Sequence, residues 1–74
     1  MWLVKDKEMI NIDGIEYIEY IKYCYYEEGN EYKLVFSRYG KEIAYFFFKT
    51  EKEVKDSFEK IINGIRLGSK IIHL

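Results

Sequence analysis

Hydrophobic spacing along the chain changes at Thr50. Before Thr50, Tyr, Phe, Ile and Val are crowded together with the short spacing that is typical of β-strands. After Thr50, apolar residues recur every three or four positions, which predicts one face of an α-helix. These helical positions are Val54, Phe58, Ile61, Ile62 and Ile65. The pattern predicts a sheet followed by one helix.

The ends of the predicted helix are marked by specific residues. Thr50 and Glu53 have the spacing of a capping box, in which each side chain bonds a backbone N–H group of the first turn. Gly64 or Gly68 ends the helix, because glycine tolerates the left-handed conformation of a C-cap. Residues 71–74 then form an apolar tail that must dock elsewhere or stay exposed.

The region before Thr50 divides into extended segments separated by polar turns such as Asp13-Gly14. The segments are residues 2–4, 9–12, 15–26, 31–39 and 42–48. The last of them is apolar on both faces, so it is a central strand or is covered on each side. We therefore predict an α+β fold, an antiparallel meander of four to five strands with one C-terminal helix packed on one face.

Residues 15–26 repeat an Ile-x-Tyr triplet that matches neither the strand period nor the helix period. A helix would align Ile15, Ile18 and Ile21, but the density of Ile and Tyr and the flanking turns favour a strand. The irregular spacing at Glu16-Tyr17 predicts a bulge. The strand would carry Ile18, Tyr20 and Cys24 on one face and Ile21, Tyr23 and Tyr25 on the other.

A chain of 74 residues makes a single domain: a sheet over residues 1–49, a helix over 50–68 and an apolar tail over 69–74. A domain this small buries a small core and usually needs a disulfide, a metal or a partner. Cys24 is the one cysteine, so no internal disulfide forms, and with His73 it gives too few ligands for structural zinc. Of the three ways to stabilise so small a domain, association with another chain therefore remains.

The net charge, the N-terminal apolar run and the reactive side chains limit the classes of function that we expect. Twelve Lys and Arg against thirteen Asp and Glu leave a net charge of −1, so nucleic acid is an unfavoured partner. The apolar run over residues 1–4 is too short for a signal peptide or a membrane span, which predicts a cytoplasmic protein without a membrane partner. We assign no catalytic, cofactor-binding or metal-binding residue and expect no enzyme. Cys24 is expected to be a buried, inert thiol and His73 a surface side chain.

One helix can cover one side of such a sheet, which leaves large apolar residues on the other. The uncovered set is either Ile43, Tyr45 and Phe47 or Ala44, Phe46 and Phe48. The alternative is a sheet that curls into a half-barrel and buries both sets. The candidate interaction surface comprises Tyr45, Phe47, Ile71, Ile72 and Leu74.

Several segments carry a resemblance to a known type of protein: Met1-Trp2-Leu3-Val4, Ile10-Asn11-Ile12-Asp13 and the helix from Thr50 to Ile65. In them the chain resembles a type of small protein of unknown function from Firmicutes and their phages and mobile elements. The resemblance implies an antiparallel sheet with a C-terminal helix, like a reduced pleckstrin-homology half-barrel. It transfers no catalytic or binding residue. The tyrosine triplets and the tail at residues 71–74 depart from its pattern.

Three functions follow as expectations. The leading one is a non-enzymatic interaction or regulatory module that self-associates as a homodimer, through its aromatic sheet face or its C-terminal tail. The first alternative is a small nucleic-acid or nucleotide binder that stacks bases on the sheet tyrosines. The second alternative, implied by the phage-like resemblance, is an inhibitor of a host protein.

Overall fold

The structure is a computed structural model that describes residues 1–22 and 31–74. Its elements in chain order are β1 (Trp2–Lys5), β2 (Glu8–Asn11), β3 (Tyr17–Lys22), β4 (Tyr32–Arg38), β5 (Lys41–Phe48), α1 (Glu51–Leu67) and β6 (Ile71–His73). The predictions for Tyr23, Cys24 and Tyr25 lie outside the described residues.

The described strands form two three-stranded sheets. One has the order β3-β4-β5, and both of its pairings are antiparallel. The other has the order β2-β1-β6, in which β1 pairs antiparallel with β2 and parallel with β6. The predicted α+β fold with a strand meander and one packed helix is confirmed. The apolar tail adds a sixth strand that the hydrophobic pattern did not indicate.

The inner faces of both sheets and one side of α1 share a single core. Each strand contributes alternate residues to it, as the strand period of two requires. The buried members are Leu3, Ile12, Leu34, Phe36, Phe46, Phe48, Val54 and Ile61. The helix therefore covers the face of β5 that carries Ala44, Phe46 and Phe48.

Both predicted helix ends are observed. The Thr50 side chain accepts a hydrogen bond of 3.2 Å from the Glu53 backbone N–H, which begins α1 as a capping residue should. Gly68 lies in the left-handed region with φ 70°, and Ser69 N–H bonds Gly64 C=O at 2.8 Å. Of the two glycines considered, Gly68 is the one that ends the helix.

The buried stripe of α1 is rotated from the predicted one. Its buried residues are Val54, Ser57, Ile61 and Gly64, whereas Ile62 and Ile65 are exposed and Phe58 is half-buried. The physical reason is close packing: Ser57 and Gly64 have small side chains that let the helix approach its neighbours. A Cβ atom at residue 64 would overlap the Ile72 side chain of β6.

The tail docks as β6 through backbone bonds at both ends. Trp2 N–H bonds Lys70 C=O and Leu74 N–H bonds Val4 C=O, each at 2.8 Å. Ile72 and Leu74 pack against the core, while Ile71 points away from it. Docking removes most of the exposed apolar surface that a free tail would present.

The register of β3 with β4 is regular from Tyr17 to Lys22, and Glu16 N–H bonds the C=O of Ser37, the partner of Tyr17, at 3.1 Å. The predicted bulge at Glu16-Tyr17 lies at the start of this register and stays a prediction. An irregularity is observed on the other side of β4. There Phe36 pairs with Ala44 but Ser37 pairs with Glu42, so Ile43 is an extra residue in β5.

The described residues form a compact body with a radius of gyration of 12.0 Å. Within residues 1–22 and 31–74, no helix combines the length and the apolar character that crossing a membrane requires.

Candidate functional site

The side of the β3-β4-β5 sheet that faces away from the core has neither helix nor sheet over it among the described elements. Its residues alternate with the core residues along each strand and meet directly across the register. They are Tyr17, Glu19 and Ile21 on β3, Lys33, Val35 and Ser37 on β4, and Glu42, Ile43, Tyr45 and Phe47 on β5. We call these ten residues the outer face.

Large apolar side chains dominate the outer face. Tyr17 and Ile43 are each 56% exposed, Tyr45 is 46% exposed and Ile21 is also exposed. Tyr45 and Phe47 pack edge to face with ring centroids 5.1 Å apart. The half-barrel alternative, in which the sheet buries both sets of side chains, therefore does not describe this chain. Exposed apolar side chains on one sheet face make this face a candidate interaction site.

Lys33 lies flat along the outer face rather than pointing into solvent. Its ammonium is 4.5 Å from the centroid of the Tyr45 ring and 2.8 Å from a Glu42 carboxylate oxygen. The Lys33 side chain is 13% exposed and the Glu42 side chain 40%. A surface ion pair contributes about 0–1 kcal/mol to stability. The larger effect of the Lys33–Glu42 pair is to neutralise Lys33, the one cation of the outer face.

A second polar pair lies on the β3 side of the outer face. The Tyr17 hydroxyl donates a hydrogen bond of 3.2 Å to a Glu19 carboxylate oxygen. This bond, together with the negative charge of Glu19, raises the pKa of Tyr17 above its ordinary value, because both favour the protonated phenol. The phenol and the carboxylate thus partly satisfy each other.

We expect Glu19→Gln to lower the pKa of Tyr17 towards its ordinary value, because the substitution removes both the charge and the strong acceptor. NMR titration of ring-labelled tyrosine measures this pKa directly. Glu16→Gln is the matched control, since Glu16 accepts a bond from the Tyr39 backbone N–H instead. A Tyr17 pKa that is the same in Glu19→Gln and wild type would contradict the assignment.

The predicted surface residues fall into three places. Tyr45 and Phe47 lie on the outer face, which is one of the two alternatives that the face-counting argument left open. Ile71 is 53% exposed on the far side of the other sheet, beside Trp2 in the register. Ile72 and Leu74 pack against the core. The tail and the aromatic face are therefore two separate surfaces and not one.

Three residues of the outer face, Val35, Glu19 and Lys33, were not predicted from the sequence to lie on an interaction surface. Val35 is buried although none of the described helices and sheets lies over it, because it sits in the middle of the face between Glu19 and Tyr45. Glu19 and Lys33 were likewise not among the predicted surface residues. Strand alternation alone could have placed all three, but the pairing partners that give them their roles depend on the register.

The tip of the β4–β5 hairpin adjoins the outer face. Tyr39 has φ 54° and precedes Gly40 with φ 73°, the conformation of a type I′ turn. A bulky residue rarely adopts a positive φ. Tyr39 is 77% exposed, and a 2.8 Å hydrogen bond from its backbone N–H to Glu16 holds the turn. This turn fixes the register that brings Glu42 to the end of the face.

The side chains that bind metal ions in proteins lie apart from one another in the part of the chain that the structure describes. Over the described ranges, no three His, Cys, Asp or Glu side chains are grouped so that they could hold a metal ion. His73 is exposed on β6, in register with Val4. The outer face offers aromatic rings, aliphatic side chains, the Lys33–Glu42 ion pair and the Tyr17–Glu19 hydrogen bond.

Comparisons with protein-family models, with curated proteins and with solved structures gave no significant match. The resemblance to small Firmicutes and phage proteins therefore rests on its short sequence motifs.

Proposed function

We propose that this protein is a non-enzymatic interaction module that binds protein, including a second copy of itself, through the outer face. The observation that carries the proposal is a sheet face over which no described helix or sheet lies, and whose one cation, Lys33, is already paired with Glu42. The proposal places the module in the cytoplasm, where a single cysteine stays a thiol.

The pairing of polar groups decides which partners suit the outer face. Burial of an unpaired charge is costly, so a surface that binds another protein gains from having its charges neutralised beforehand. Lys33 is paired with Glu42, and Glu19 accepts a bond from Tyr17. The exposed rings and aliphatic side chains can then be buried while the Lys33 ammonium keeps its partner, and this burial contributes about 25 cal/mol per Å² of apolar area.

Nucleic acid suits this face poorly. Sheets that stack bases combine exposed aromatic rings with free Lys or Arg side chains that contact phosphates. Of the ten residues of the outer face, Lys33 alone is cationic, and its ammonium lies against Glu42 and Tyr45. Glu19 would face the phosphates directly. We therefore expect no binding of single-stranded DNA or RNA at physiological salt.

Three isoleucines of nearly equal exposure provide a matched test. Ile43 lies on the outer face, Ile71 on the other sheet and Ile65 on α1, with 56%, 53% and 55% of each residue exposed. Ile→Lys at each position adds the same charge at a similar cost in stability. We expect wild type and the Ile71→Lys and Ile65→Lys variants to dimerise at micromolar concentration, and Ile43→Lys to be monomeric, in gel filtration with light scattering.

The same experiment can overturn the proposal in two ways. A wild-type protein that stays monomeric at every concentration would contradict self-association. A dimer that Ile71→Lys or Ile65→Lys disrupts, while Ile43→Lys leaves it intact, would move the interface to the other sheet or to the helix. Circular dichroism and thermal melts of all three variants establish that each remains folded.

A further inference from the structure

A cleft of about 650 Å³ lies where the end of β5, the turn between β1 and β2 and the N-terminal part of α1 come together. We call it the α1 cleft. Its apolar lining includes Phe48 and Leu74, which belong to the core or pack against it. Of the ten residues of the outer face, Phe47 is the one that also lines this cleft. The volume is in the range of pockets that hold small organic ligands, roughly 300–1,000 Å³.

Ser57 lines the α1 cleft from the buried side of the helix. The residue is 5% exposed, and within the part of the chain that the structure describes its hydroxyl has no hydrogen-bond partner. Among the same residues, no fully buried polar side-chain atom lacks a partner. The small exposed part of Ser57 therefore includes the hydroxyl, which opens into the cleft. Since hydroxyls inside proteins are normally hydrogen-bonded, this one is available to a ligand.

Half of the charged side chains that line the cleft are paired with a neighbour. The Lys5 ammonium lies 3.0 Å from an Asp6 carboxylate oxygen and 4.9 Å from the centroid of the Phe48 ring. An Asp56 carboxylate oxygen lies 2.9 Å from the Lys52 ammonium. The charges of these groups are already balanced, so they offer little to a charged ligand.

The other three charged side chains of the cleft, Lys49, Glu53 and Lys60, form no ion pair with residues 1–22 and 31–74. Glu53, Ser57 and Lys60 share one side of α1, because they are spaced by four and three residues. Along the helix axis, Ser57 is about 4.5 Å from Lys60 and about 6 Å from Glu53. Helical side chains lean towards the N-terminus, so Lys60 leans towards Ser57 and Glu53 leans away from it.

We propose that the α1 cleft binds a small organic acid, a carboxylate or a phosphate monoester, whose oxyanion lies between the Ser57 hydroxyl and the Lys60 ammonium. A hydroxyl donor and an ammonium together are well suited to an oxyanion. Among the described residues that line the cleft, two unpaired lysines outnumber one unpaired glutamate, which favours an anion. The apolar part of the ligand would lie against Phe48 and Leu74. The volume of the cleft favours such a ligand over a bare inorganic ion.

A titration followed by the backbone amide shifts of the protein tests the site. Phenyl phosphate and phenylacetate are the two probes, and the one that binds more tightly identifies the anionic group. We expect saturable shifts at Phe48, Ser57 and Lys60, with little change at Val35 on the outer face. Benzyl alcohol carries the ring without the charge and should bind about tenfold more weakly or worse, as should inorganic phosphate, which lacks the ring.

Two variants test the residues that hold the oxyanion. Ser57→Ala should weaken binding of the preferred probe about tenfold, because a hydrogen bond to a charged group is lost. Its melting temperature should be no lower than that of wild type, since the hydroxyl has no partner in the described chain and alanine favours a helix. Lys60→Gln should weaken binding about threefold. Lys55→Gln is the matched control, because Lys55 is exposed on the same helix but does not line the cleft, and it should bind as wild type does.

Glu53→Gln gives an effect of the opposite sign. It removes the one unpaired acid that lines the cleft among the described residues, so it should tighten binding of the anionic probe. Weaker binding by Glu53→Gln would overturn the proposal, because the cleft would then favour a cationic group. Absence of saturable shifts at Phe48, Ser57 and Lys60 would overturn it as well. So would wild-type affinity in Ser57→Ala, or equal affinity for benzyl alcohol and the two acids.

Discussion

Phe36→Ala is expected to cost about 3–5 kcal/mol in the free energy of unfolding, which is close to the whole stability of a domain this small. Phe36 is fully buried in the middle of β4, between Ile18 and Ala44 in the register, and its ring packs edge to face with Phe46 at 5.9 Å. Truncation leaves a cavity that the two sheets and the helix cannot close. Urea denaturation followed by circular dichroism measures the loss.

Phe58→Ala is the matched control for this prediction. Phe58 is half-buried on α1 and packs edge to face with Tyr20 at 5.4 Å. Its removal opens no closed cavity, so the cost should be about 1–2 kcal/mol. If Phe36→Ala fails to fold, Phe36→Leu should still show a loss of about 1 kcal/mol. Equal costs for Phe36→Ala and Phe58→Ala would contradict the core described here.

Gly64→Ala should destabilise the protein by about 1–2 kcal/mol, although alanine favours a helix over glycine by roughly 1 kcal/mol. The new methyl group would overlap Ile72 Cδ1 and lie 2.9 Å from Ile72 Cγ1. Overpacking of this kind costs about 1–3 kcal/mol and would push β6 away from the helix. Asn63→Ala is the control, because Asn63 is exposed on the same helix. That variant should gain a few tenths of a kcal/mol (~0.3).

A second variant tests the cause of the loss. Ile72→Val removes the overlapping Cδ1 atom, so Gly64→Ala combined with Ile72→Val should be more stable than the sum of the two single losses. Urea denaturation of the four proteins gives the coupling energy. Additive losses, or a Gly64→Ala protein more stable than wild type, would show that α1 and β6 do not pack as closely as the structure has them.

Local signals in the sequence were sufficient for much of the fold. The alternation over β4, the turn at Asp13-Gly14 and the capping residue Thr50 each depend on neighbours a few positions away. Each of them appears in the structure where it was predicted. These features follow from strand period, turn chemistry and capping, which act within a few residues.

Features that depend on distant residues were not predictable in the same way. The parallel pairing of β6 with β1 joins residues about seventy positions apart, and no local pattern indicates it. The rotation of the helix stripe towards Ser57 and Gly64 follows from that pairing, because Ile72 fills the space beside Gly64. The position of the bulge at Ile43 likewise depends on the β4–β5 turn.

The candidate site was predictable in outline only. Counting the faces that one helix can cover was enough to expect Tyr45 and Phe47 on an uncovered surface if the helix lay against Phe46. The choice between the two faces of β5, and the separation of Ile71 from that surface, required the tertiary structure. The pairing of Lys33 with Glu42 required the register.

The most direct test of the account is an NMR dilution series of the wild-type protein. Backbone amide shifts are recorded from high to low concentration, and the residues whose shifts change identify the surface that is buried in the complex. We predict changes centred on Glu19, Val35 and Tyr45, with little change at Met9 and Ile71 on the other sheet. Shifts that do not depend on concentration, or that change around Met9 and Ile71 instead, would contradict an interaction surface on the outer face.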